Sequence, residues 1–171
     1  MMEILLCKKV IFIMGVSGTG KSTVGRLLSN ELSVPFIDAD DHHLPSNIKK
    51  MSQGIPLTDD DRAPWLDQIN QIALNHLDSG AVIACSALKK EYRARLSQSI
   101  EQNVTWVYLQ GSYGLIADRM KNRKGHFMNV RMLKSQFETL QEPNNAMTVN
   151  VANSPEIIVG KIKSQLVGVK K

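Results

Sequence analysis

The amino-acid sequence predicts an α/β fold in three layers, with a five-stranded parallel sheet in the order 2-3-1-4-5 and helices on both faces. Short apolar or β-branched runs alternate with segments whose apolar residues recur at helical spacing, the pattern of βαβ units. Two of the runs then order the sheet. AVIAC at residues 81–85 is apolar throughout, as a central strand must be, whereas VPFID at 34–38 contains Pro35. Proline has no N–H for a ladder bond, so that run belongs at an edge.

Taken in order, VIFIM at 10–14 is the first strand and leads directly into the glycine-rich GVSGTGKS at 15–22. TVGRLLSNEL at 23–32 follows with helical spacing, and VPFID is the second strand. Residues 42–63 mix His, Asn, Lys and Asp with few large aliphatics, which suits a cover over a polar acceptor. PWLDQINQIALNHL at 64–77 is a helix starting near Pro64, with Thr58 or an early aspartate as its cap. AVIAC is the third strand, ALKKEYRARL at 87–96 the next helix, and VTWVYL at 104–109 the fourth strand. YGLIADRM at 113–120 and VRMLKSQFETL at 130–140 read as helices, MTVNV at 147–151 as the last strand and PEIIVGKIKSQL at 155–166 as the last helix. No repeat or linker-like stretch divides the chain, so residues 1–171 are expected to form one domain.

A hydrophobic content of 43% over 171 residues suits a globular protein with a substantial core. The net charge of +5 is scattered, without the interleaving of aromatic and basic residues that marks a nucleic-acid surface. The only cysteines, Cys7 and Cys85, lack metal-ligand spacing and suit a reducing compartment. Glu3, Lys8 and Lys9 interrupt the apolar N-terminus, and no apolar run approaches the roughly 20 residues of a membrane span. A cytoplasmic protein is expected.

GVSGTGKS matches G-x-x-x-x-G-K-[ST] in its required setting, after a strand and at the start of a helix. The expected fold is therefore like that of P-loop nucleoside-triphosphate hydrolases. Gly15, Gly18 and Gly20 let the backbone turn its N–H groups toward phosphate, and the ATP site comprises these with Val16, Ser17, Thr19, Lys21, Ser22 and Thr23. Lys21 would bridge the outer two phosphates and Ser22 would hold Mg²⁺. AVIAC runs into Ser86 rather than the usual aspartate, so acid must come from VPFIDADD at the carboxyl end of the second strand. Asp38 can hold a magnesium-bound water and Asp40 can orient or deprotonate an attacking hydroxyl; the same residues also read as an acidic turn. Arg119 and Arg123, four apart on one helix face, can close over the transferred phosphoryl group as part of a lid spanning about 119–130, or form an exposed basic helix end. His126 reads as structural. In LTDDDRAPW at 57–65, capping explains one or two carboxylates but neither the third nor Arg62. Three adjacent side chains do not converge on one ion, so a polyhydroxylated acceptor suits the segment at about 40–65 better than a metal cage.

Across nearly its whole length the chain resembles the small P-loop gluconokinases, through MGVSGTGKS, FIDADDHH, NIKKMSQGIPLTDDDRAPWL, CSALKKEYR, RKGHF and KSQFETLQEP. The resemblance implies ATP-dependent phosphorylation of D-gluconate at its 6-hydroxyl, a fold like that of shikimate and adenylate kinases, and a homodimer. It assigns residues 15–22 to ATP and Mg²⁺, Asp38 to the magnesium side, Asp40 to the acceptor hydroxyl, and Arg119 and Arg123 to the lid. By similarity to shikimate kinases it also brings Arg62 into the acceptor pocket, with His43 and Lys89 as further acceptor residues or structural ones. Two words depart from the pattern: Asp41-His42-His43-Leu44 stands for Asp-Leu-His-Pro, and Tyr92-Arg93-Ala94 for Tyr-Arg-Asp. Another small-acceptor kinase, acting on shikimate or a nucleotide, is the alternative, although CSALKK replaces the glycine cluster of shikimate kinases. A regulator that binds nucleotide without transferring phosphate is the third reading.

Overall fold

The computed structural model describes residues 9–122 and 130–168. Its strands are β1 (Val10–Met14), β2 (Phe36–Asp38), β3 (Ala81–Ala84), β4 (Val104–Gln110) and β5 (Met147–Asn150). Its helices are α1 (Lys21–Leu32), α2 (Pro45–Ser52), α3 (Asp59–Asn75), α4 (Lys90–Leu96), α5 (Tyr113–Asn122), α6 (Val130–Thr139) and α7 (Pro155–Gly168). The strands form one sheet in the order β2-β3-β1-β4-β5, and every pairing is parallel. The expected order is the observed one. Pro35 lies just outside the edge strand β2, where its carbonyl accepts from the Val82 N–H at 2.9 Å and its missing donor is not needed.

The period-2 alternation of β1 divides the core. Val10, Phe12 and Met14 face a layer that includes Trp65, Leu66 and Ile69 of α3 and Tyr92 and Leu96 of α4. Ile11 and Ile13 face the opposite layer, with Val24 and Leu28 of α1 and Ile158 and Ile162 of α7. Both faces are covered, as an all-parallel sheet requires. A smaller cluster of Val16, Leu88, Ile116, Ala117, Met120 and Leu133 lies under the first glycine-rich loop.

Beyond shifts of one or two residues at strand and helix ends, three helices differ from expectation. The helix expected near Pro64 begins at Asp59, and Thr58, one of its expected caps, is its N-cap in a reciprocal capping box with Asp61 that satisfies two N-terminal donors. Pro64 therefore sits inside α3. Residues 45–52, within the expected polar cover and given no helix there, form α2, which opens on Pro45 and is tied to α3 by Asn47 donating to the Asp61 carbonyl at 2.9 Å. α4 begins at Lys90 rather than Ala87, because Ala87 adopts a left-handed φ of 46° and the buried Arg93 donates to the carbonyls of Ala87 and Leu88. Among the described residues no helix is long and apolar enough to cross a membrane.

Candidate active site

The loop joining β1 to α1 is held open by its glycines. Gly15 has φ +145°, and a Cβ there would stand 2.8 Å from the Leu109 carbonyl oxygen, so the turn excludes any side chain. Gly20 caps α1 in the left-handed region at φ 92°, which leaves the first N–H groups of the helix pointing into the loop. Thr19 is buried and donates to the Val16 carbonyl at 2.9 Å, bracing the turn. Lys21 Nζ donates to the carbonyls of Gly15 and Val16, at 3.0 and 3.1 Å. An ammonium has three hydrogens, so one remains for an anion. Burial lowers the Lys21 pKa, while the negative charge of Asp40 opposes that shift.

Asp38 ends the edge strand beside this loop. Its Oδ2 accepts from Ser22 Oγ at 2.7 Å and its Oδ1 accepts from the Asp40 N–H at 3.1 Å, which caps the short 3₁₀ turn at Ala39–His42. The cap aims Asp40 outward as a water-accessible carboxylate. The imidazole of His43, with Nε2 3.7 Å from Asp40 Oδ1, is the main cause holding its carboxyl below the usual range, opposed by desolvation and helped by the charge of Lys21. His43 in turn stacks on Trp65 with ring centroids 4.2 Å apart, and Trp65 Nε1 donates to the Ala39 carbonyl at 2.8 Å. The first turns of α3 thus fix the angle of the acidic turn. His43 Nδ1 is buried without a hydrogen-bond partner among the described residues.

The three aspartates of LTDDDRAPW have separate fates. Asp61 completes the capping box and binds Lys50 of α2 at 2.7 Å, contacts that lower its pKa from 3.8 to about 2, Lys50 contributing most. Asp59 accepts from Lys89 Nζ at 2.7 Å and from the Tyr92 hydroxyl, and Arg62 stands 3.9 Å away. Hydrogen bonds from Lys89 and then Tyr92 lower its pKa. Asp60 is exposed. Arg62 donates to the Leu57 carbonyl at 2.6 Å, its guanidinium lies 5.7 Å from the Tyr92 ring centroid, and the Lys89 ammonium lies 5.2 Å from that centroid. Arg62 and Lys89 are therefore neighbours in one cationic wall. Asp59 belongs to the acidic run that the sequence assigns to the acceptor segment, whereas Tyr92, which joins them, escaped the sequence reading; the signal was that TDDDRAPWL and CSALKKEYR both lack a phosphate-binding explanation.

On the other side of the loop, Arg119 donates to the Val151 carbonyl. It lines a cleft of about 340 Å³ with Gly18, Thr23, Asn122, Asn153 and Pro155. Arg123 and His126 lie outside the described residues, as does most of the expected lid at 119–130. Cys85 is buried beneath the loop, and desolvation pushes its thiol up to about 12. Among the described residues no group of three or more His, Cys, Asp or Glu side chains is placed to hold a metal ion. A cation here would depend on Ser22, on Asp38 and on oxygens of a bound phosphate, which is how magnesium is commonly held in such sites.

A profile for shikimate kinase matches residues 17–166. The chain is 42% identical over 165 residues to the thermoresistant gluconokinase of Escherichia coli (strain K12), covering 95% of this chain and 94% of that protein. It is 45% identical over 170 residues to the gluconokinase of Arabidopsis thaliana, with 90% of each covered. A crystal structure of a gluconokinase from Sinorhizobium meliloti 1021 superposes with a TM-score of 0.87 at 42% identity, covering 95% of this chain and 94% of that one.

Proposed function

The chain belongs to the gluconokinase family, and we propose that it transfers the terminal phosphoryl group of ATP to the 6-hydroxyl of D-gluconate, giving 6-phospho-D-gluconate and ADP. The observation that carries this reading is that Lys21 and Asp40 stand at the carboxyl end of the sheet near enough for each charge to act on the other, together with Arg62 and Lys89 gathered about Tyr92. A kinase needs such a pair: a fixed cation for the phosphates and a carboxylate facing the attacking oxygen.

Within residues 15–22 the Gly15 and Ser17 N–H groups are committed to the Ser86 carbonyl and to Gln136, so the other backbone N–H groups of the loop hold the phosphates, and Lys21 gives its remaining hydrogen to the outer two. Ser22 and Asp38 fit a magnesium ion that would neutralise phosphate charge, with Asp38 acting through a bound water. Asp40, ionised at neutral pH, accepts the hydroxyl proton as O6 bonds to the terminal phosphorus and the bond to the ADP oxygen breaks. His43 keeps Asp40 oriented, and Arg62 and Lys89 pair with the carboxylate of gluconate. Arg119 and Arg123 neutralise the phosphoryl oxygens, while the cleft beside Arg119 takes the adenine. This reading treats the whole chain as one kinase domain, cytoplasmic and homodimeric. Sedimentation of the purified protein checks the dimer.

Magnesium-dependent ADP release should be stimulated by D-gluconate and not by shikimate, L-idonate or nucleoside monophosphates. ATP binding without stimulation by gluconate would refute the acceptor assignment.

A further inference from the structure

Helix α6 and the segment just after it touch both the phosphate loop and the loop before α4 through contacts that the roles above leave unused. At Ser17, the third residue of the phosphate loop, the backbone N–H donates to Gln136 Oε1 at 2.6 Å and Gln136 Nε2 donates to the Ser17 hydroxyl oxygen at 3.0 Å. A backbone amide can only donate, which settles that the carboxamide oxygen faces it. Five residues on, the Gln141 N–H donates to the Leu88 carbonyl at 2.9 Å, and Gln141 Oε1 accepts from the Lys90 N–H at 2.7 Å. The brace therefore ends beside Lys89. Leu133 is fully buried beneath the phosphate loop and Phe137 packs edge-on to Tyr113, which holds the helix between the two.

The position of Ser17 within the loop gives these bonds a chemical direction. Lys21 Nζ is held at the carbonyls of Gly15 and Val16, immediately before Ser17, so the ammonium that reaches the outer phosphates stands on this limb. Residues 18–22 run instead into the N-terminus of α1, which faces the inner phosphate. Because Nε2 fills a lone pair of Ser17 Oγ, the hydroxyl proton is turned away from Gln136.

We propose that Gln136 is a positioning residue for the terminal phosphoryl group: its bidentate hold on Ser17 turns the serine hydroxyl into a donor aimed at the group being transferred. Glutamate at this position would reverse that polarity. Its carboxylate still accepts from the Ser17 N–H, yet it takes the hydroxyl proton as well and withdraws the donor from the phosphate.

The test uses the full chain with magnesium. Calorimetry with ADP and with the β,γ-imido analogue of ATP is combined with steady-state rates on D-gluconate for wild type, Gln136→Glu, Gln136→Ala, Ser17→Ala and the Ser17→Ala/Gln136→Ala double variant. Gln136→Glu should weaken the analogue by about tenfold, the worth of one hydrogen bond to a charged group, with ADP affinity within about twofold of wild type. Gln136→Ala and Ser17→Ala should each lower kcat by a similar factor with little change in the KM for gluconate, and the double variant should be no worse than either single, as for residues acting as a unit. Equal losses for ADP and the analogue, multiplying losses in the double variant, or unchanged values throughout would each overturn the assignment. The inference rests on the phosphate-loop reading, but the titrations need no acceptor. A wrong acceptor leaves them intact, whereas a wild type that binds neither nucleotide defeats the loop reading itself.

Discussion

The two halves of the proposed site are built from different materials. The phosphate half draws on eight consecutive residues, and its working groups are backbone N–H donors with one lysine pinned by its own loop. The proposed acceptor half gathers Asp59 and Arg62 from α3, Lys89 from a loop and Tyr92 from α4, side chains that run from the exposed Asp59 to the buried Tyr92. Geometry is imposed on the first by covalent neighbours and glycine turns. The second depends on how α3 and α4 pack, and the mutual neutralisation of Asp59, Lys89 and Arg62 holds it together. Chemistry common to all phosphate esters can sit on a rigid backbone nest, while recognition of one acceptor requires side chains that differ in charge and reach.

That contrast predicts a gradient of damage. Lys21→Ala should lower kcat/KM by roughly a thousandfold or more in a coupled ADP-release assay, because it removes a preorganised charge at the phosphates. A smaller loss, on the order of a hundredfold to a thousandfold in kcat, is expected for Asp40→Asn, with ATP affinity by calorimetry nearly unchanged. Since the Asp40 pKa lies below 3.8, the wild-type base stays ionised throughout the neutral range, and the acid limb of its rate profile should fall below that pH. Arg62→Ala should act on the other half alone, raising the KM for gluconate by roughly tenfold to a hundredfold and leaving the KM for ATP unchanged; a shift confined to ATP would dissolve the division between halves. Asp61→Asn should cost least. The folded pKa of about 2 lies below the ordinary 3.8, so the stability contributed by Asp61 is complete above pH 3.8 and is lost as pH falls toward 2. Thermal melts across that window should show a flatter acid limb in the variant.

The same contrast explains what was legible in the sequence. The sheet order could be read because Pro35 and the apolar AVIAC run carry positional meaning in themselves. The phosphate loop could be read because its spacing is local. The start of α3 was placed too late because Pro64 looks like a first-turn residue, although Thr58 was among the expected caps; its reciprocal bonds with Asp61 fix the earlier start. Residues 45–52 were passed over as a helix because eight residues with exposed Ile48 and Met51 lack a clear apolar stripe. Tyr92, Asp59 and Gln136 reach partners 30 or more positions away, and no local pattern announces such contacts.

The thiol of Cys85 has a practical consequence. With its pKa pushed up to about 12, only on the order of one molecule in a hundred thousand holds a thiolate there at neutral pH, and the sulfur is buried as well. Alkylating reagents must therefore wait for the strand ends beneath the phosphate loop to part. The rate at which Cys85 is modified becomes a clock for that opening, and any nucleotide seated above it should slow the clock in proportion to its occupancy.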